Sequence, residues 1–105
     1  MTKTIGLILV LAALGNPTHA ETVTVALKNK EFDRDYLKIK LGDAVEFKNE
    51  DPWFHNPYSL SELQSFDLGP LAEGKAKTVV FEQEGKVEVE CAIHSRMYMM
   101  IEVTK

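Results

Sequence analysis

The sequence predicts an all-β sandwich, because apolar residues recur at every second position in several short segments, and turn residues separate those segments at close intervals. Thr22-Val23-Thr24-Val25-Ala26-Leu27 alternates polar and apolar side chains, the period of a strand with one buried face. Leu37, Ile39 and Leu41 alternate with Lys38 and Lys40, Gly42-Asp43 marks a turn, and Val45 and Phe47 resume the alternation. Thr78-Val79-Val80-Phe81 is a compact β-branched run, and Gly85 ends the turn after it. Val87 and Val89 alternate with Glu88 and Glu90, and Met97, Met99, Ile101 and Val103 line one face of a last segment. Strands so closely spaced favour a sandwich over an α/β sheet. Residues 49 to 70 hold Pro52, Pro57 and Pro70 and no sustained period; they read as loop, with room for a strand or a helical turn near Ser59 to Gln64.

At 105 residues the chain provides one domain, and its first twenty residues differ from the rest. Lys3 precedes an apolar run from Ile5 to Leu14, Gly15-Asn16-Pro17 breaks it, and Thr18-His19-Ala20 places small residues where cleavage would occur. This is the layout of a removable secretory leader over residues 1–20, leaving a domain at residues 21–105. The apolar run falls short of the roughly 20 residues a membrane span requires, so no membrane insertion is expected after cleavage. Loss of Lys3 leaves 11 basic against 16 acidic residues, a net charge of −5. Such a surface disfavours nucleic acid and anionic membrane and favours a basic protein partner. A small domain gains from a staple, and with one cysteine in the chain the staple cannot be a disulfide; a bound metal would serve.

That cysteine, Cys91, shares parity with Val87 and Val89, which directs its side chain inward at a strand end. His94 and Met97 follow at intervals of three, so a chain turning back can aim thiolate, imidazole and thioether at one point. This soft donor set suits copper, and a copper electron-transfer site adds a second imidazole. Beyond residue 20 the only other histidine is His55, in the irregular segment. A Cys–His nucleophilic enzyme is the competing chemistry, with Cys91 attacking and His94 or His55 as base, but no oxyanion hole is evident, and no helix N-terminus lies at Cys91 to activate the thiol. A structural zinc site would usually bring several paired cysteines.

These segments resemble the cupredoxins, small blue (type 1) copper proteins of the amicyanin and plastocyanin type. The early pattern is Gly42-Asp43, Val45-Glu46-Phe47-Lys48-Asn49 and His55-Asn56; the late one is Val89-Glu90-Cys91-Ala92-Ile93-His94 with Met97; Gly74, Phe81 and Gly85 match the hairpin between them. The chain departs from the usual pattern at Ile93 and Pro57. The resemblance implies a Greek-key sandwich of about seven to eight short strands, and one copper ion, cycling between Cu(II) and Cu(I), held equatorially by His55, Cys91 and His94. It offers Met97 or Met99 as the axial ligand. Met97 is preferred, because it leaves Ile101 and Val103 as the inward residues of the last strand. Asn56 would brace the loop around the cysteine by hydrogen bonding.

The implied function is single-electron transport in the periplasm by a monomer that is not an enzyme, with a c-type cytochrome or a quinoprotein dehydrogenase as partner. The resemblance also implies an apolar docking patch around His94, for which Trp53, Phe54, Pro57, Ile93 and the neighbours of Met97 are candidates. The alternative is a periplasmic copper carrier or chaperone that hands over the ion itself, with Met99 and Met100 extending a thioether surface.

Overall fold

A computed structural model describes residues 20–105; the leader expected at residues 1–20 lies, but for Ala20, outside them. The described chain forms two packed sheets. Its strands are β1 (Thr22–Lys28), β2 (Glu31–Phe32), β3 (Tyr36–Lys40), β4 (Ala44–Asn49), β5 (Pro57–Ser59), β6 (Phe66–Asp67), β7 (Ala76–Val80), β8 (Gly85–Cys91) and β9 (Tyr98–Thr104). One sheet has the order β2-β1-β4-β7 and the other β3-β9-β8-β5-β6. The pairs β1–β4 and β3–β9 are parallel and the remainder antiparallel. The nine strands exceed the expected seven or eight because β2 and β6 are two-residue strands, too short to leave a periodic trace.

The alternation in the sequence becomes the core. Val25 and Leu27 from β1, Val45 and Phe47 from β4, Val87, Val89 and Cys91 from β8, and Met99, Ile101 and Val103 from β9 all point between the sheets. Phe47 packs on Phe32 and Phe66, with ring centroids 6.3 and 6.1 Å apart, and Phe66 meets Phe81 edge-on. Residues 49 to 70 depart from expectation. The strand there begins at Pro57 rather than near Ser59 to Gln64, and residues 62–64 form a bend with no helical turn. Proline is tolerated because it opens the strand, where no ladder donor is required.

The turn at Gly42-Asp43 is pinned by the Asp43 carboxylate, which accepts from the Glu21 and Lys40 N–H groups at 2.9 Å each. Those two donors hold the buried Asp43 carboxyl below an aspartate's ordinary 3.8. Because the folded value is the depressed one, this stabilisation is complete above the ordinary value and is lost as pH falls below it. Urea midpoints measured between pH 6 and pH 3 should drop less in Asp43→Asn than in the parent.

Gly85 opens β8 at φ +136°, a region that L side chains rarely adopt, and a Cβ there would lie 2.6 Å from Leu63 Cδ2. Gly85→Ala is expected to cost about 1–3 kcal/mol, chiefly as backbone strain. Chemical denaturation of the Gly85→Ala, Leu63→Ala double variant should therefore recover only the steric part.

Candidate metal centre

The two sheets bring four chain segments to one end of the sandwich: the β1–β2 turn, the β4–β5 loop, the end of β8 and the β8–β9 loop. Parity places Cys91 inward at the last position of β8, where it is 3% exposed. His55 comes from the β4–β5 loop and is fully buried, tied by backbone hydrogen bonds to Leu71 in both directions. The loop owes its shape to Asn49 at the end of β4. Its side-chain amide donates to the Trp53 and Leu71 carbonyls at 2.8 Å, and its side-chain oxygen accepts from the Asp51 N–H.

His94 lies in the β8–β9 loop, partly exposed. Its Nδ1 is 3.1 Å from His55 Nδ1, and each of these nitrogens is 3.9 Å from Cys91 Sγ. The point equidistant from the three donor atoms lies about 2.1 Å from each, within the range of metal–nitrogen and metal–sulfur bonds of roughly 2.0–2.3 Å. One thiolate and two imidazoles so arranged fit copper.

Asp51, which the sequence reading did not single out, sets the chemistry of His55. The His55 Nε2–H donates to Asp51 Oδ2 at 2.8 Å, which leaves Nδ1 with its lone pair facing the thiol. Burial pushes the Asp51 carboxyl up, but hydrogen bonds from His55 and from the Lys30 and Asn29 N–H groups outweigh it and bring it to about 2. Burial pushes His94 down, and the neighbouring His55 and Lys30 reinforce that. That shift favours the neutral ring that metal binding requires.

Cys91 Sγ accepts from the Asn56 N–H at 3.3 Å, and the Asn56 carbonyl accepts from the Ala92 N–H. The expected bracing of the cysteine loop therefore comes from the Asn56 backbone. The Asn56 side chain instead donates to Asp67 in β6 at 2.8 Å. Met97 is 2% exposed just before β9, and Met99 is fully buried within it. In the β8–β9 ladder Glu90 faces Tyr98 and Val89 faces Met99. Met97 thus borders Cys91, and Met99 sits about two residues deeper, roughly 7 Å along the strand.

Trp53, Phe54 and Ile93 are 41%, 52% and 50% exposed; Ile93 directly precedes His94, and Trp53 and Phe54 directly precede His55 in the β4–β5 loop. Pro57 does not belong to the expected docking patch: paired with Cys91 across the β5–β8 ladder, it is fully buried.

No protein-family profile matches the chain. Over 103 residues it is 30% identical to methylamine utilization protein MauL of Methylorubrum extorquens, across 95% of this chain and 89% of that one. The chain belongs to the MauL family, within the cupredoxins. Its fold matches a Cu-containing nitrite reductase from Thermus scotoductus SA-01 with a TM-score of 0.75 and 26% identity, over 80% of this chain but 22% of the enzyme. The chain therefore spans about a fifth of that enzyme's length. It also matches the fold of an oxidized amicyanin variant, TM-score 0.73 and 19% identity over 78% of this chain and 81% of amicyanin, and of a Cu(I) amicyanin variant, TM-score 0.73 and 18% identity over 87% and 88%.

Proposed function

We propose that this cupredoxin is an exported copper protein that carries single electrons between redox partners, with His55, Cys91 and His94 as equatorial ligands and Met97 as the axial one. The observation that carries the proposal is the convergence of three donor atoms on one point at bonding distance, built from one strand end and two loops. Copper, when bound, supplies the ability to take up and give back one electron. The chain's own residues hold the donors still. Asp51 fixes the His55 ring, the Asn56 N–H reaches the Cys91 sulfur, and the β8–β9 pairing holds the strand that ends at Cys91. The register favours Met97 over Met99, since Met97 borders Cys91 while Met99 belongs to the deeper core. His94 is the only one of the three that reaches the surface, next to the half-exposed Ile93, where a partner would make contact.

Cleavage after Ala20 would deliver the domain to the periplasm, and the intact mass of the exported protein should begin at Glu21. The proposed partner is the one the family resemblance implies, a quinoprotein dehydrogenase or a c-type cytochrome; the relative MauL is itself named for methylamine utilization. The copper-carrier alternative has less support, because Met99 is fully buried and Met100 is partly covered between Tyr36 and Glu88.

Voltammetry of the copper-loaded domain tests the proposal. A reversible one-electron wave, with copper retained against a Cu(I) chelator, is expected; no wave and rapid loss of copper to the chelator would establish the carrier. In Asp51→Asn, chelator competition should show copper affinity lowered about 10–100-fold, because the ring of a buried ligand loses its charged acceptor.

A further inference from the structure

The β1–β2 hairpin turns through two residues, Asn29 and Lys30, both in left-handed backbone conformation at φ 57° and 60°. Turns of this kind favour asparagine followed by glycine, because glycine alone takes the second position freely. Asn29 meets the preference and Lys30 does not. The turn is nevertheless locked: the Asn29 and Lys30 N–H groups donate to the two oxygens of Asp51 at 2.8 and 3.0 Å, the carboxylate that also fixes His55. The Lys30 side chain lies over the Trp53 ring, with Nζ 5.1 Å from the centroid. It borders a depression of about 630 Å³ lined by Asn29, Lys30, Glu31, Ile93, His94 and Arg96. Beyond residue 20 the chain carries a net −5, yet the rim beside its one surface-reaching imidazole holds two cations and one carboxylate. Charges farther away than about 8 Å are largely screened at physiological salt, so the rim governs the final approach of a partner.

We propose that Lys30 and Arg96 form a cationic rim at the exposed edge of His94 that docks a carboxylate-bearing face of the redox partner. This deepens the electron-carrier reading and rests on it. It also reverses the expectation drawn from net charge, that the partner is basic. The strained lysine is explained by the same role, since glycine would relieve the turn but remove the charge.

Two reagents of opposite charge give the test. The reduced, copper-loaded domain is oxidised by ferricyanide or by tris(phenanthroline)cobalt(III), each accepting one electron, across a range of salt concentrations. The ferricyanide rate should fall as salt rises, despite the negative net charge of the protein. Lys30→Gly and Arg96→Gln should each slow it about 3–10-fold, Lys30→Arg should preserve it, and the cobalt rate should not fall in any of them. Lys30→Gly should keep the visible spectrum and have a urea midpoint at least equal to the parent's. A ferricyanide rate that rises with salt, or that both charge removals leave unchanged, would overturn the rim. Redox-inert hexacyanocobaltate(III) gives a readout independent of electron transfer: it should shift the amide resonances of Lys30, Ile93 and Arg96 in the parent and not in Lys30→Gly. Exchange with neither oxidant would defeat the electron-carrier reading while the inert anion still decides the rim, and absence of those shifts overturns it.

Discussion

Cys91→Ser is expected to abolish the intense visible band of the copper-loaded domain completely while leaving the β-sheet circular dichroism in place. The band requires a copper–thiolate bond, and Cys91 is the chain's single cysteine. Serine is close to cysteine in size, and the hydroxyl inherits the Asn56 N–H that now reaches the sulfur, so the end of β8 need not rearrange. The three proposed ligand positions should then separate by what each does for the fold. Cys91→Ser removes the band and little stability. His94→Ala removes a partly exposed ring and disturbs the metal more than the fold. His55→Ala leaves the buried Asp51 carboxylate without its side-chain partner, so it should destabilise even the metal-free domain, by about 1–3 kcal/mol. A band of undiminished intensity in Cys91→Ser would sink the proposed ligand set. Equal apo stability of His55→Ala and the parent would show that Asp51 is satisfied without the ring.

Parity made the thiol legible in advance: Val87, Val89 and Cys91 had to share a face, and the structure buries all three. The long strands were equally legible, because five to seven residues suffice to show a period of two. The elements that were missed each lacked such a signal. β2 and β6 are two residues long, and β5 opens on a proline that reads as a break. Pro57 was expected on the surface patch as one of the apolar residues near the expected ligands, but the β5–β8 pairing buries it opposite Cys91. Asp51 was illegible for a different reason. A carboxylate four residues before a histidine has no evident role until Asn49 bends the loop back over it. Lys30 shows the limit most plainly, since a lysine gives no hint of a left-handed turn; the two-residue hairpin and the two N–H bonds to Asp51 hold it in that conformation.

Phe47→Ala is expected to carry the largest stability loss, about 3–5 kcal/mol, and to decide how far copper acts as the staple of this fold. Phe47 is fully buried on β4 and packs on both Phe32 and Phe66, so its removal opens a cavity in the aromatic core. A small domain has a total stability of about 5–15 kcal/mol, with the lower end natural for so short a chain. The metal-free variant should therefore be largely unfolded or close to it. Phe47 is not one of the three donor residues, so its loss leaves the donors in the chain, and a metal that binds only the folded state pulls the equilibrium back. Urea unfolding followed by circular dichroism, with and without copper, should show the metal restoring cooperative unfolding to Phe47→Ala but adding nothing in the Cys91→Ser background. A metal-free Phe47→Ala domain as stable as its copper-loaded form would mean that the sandwich stands on its aromatic core alone, and that the absence of disulfides needs no compensation from the site.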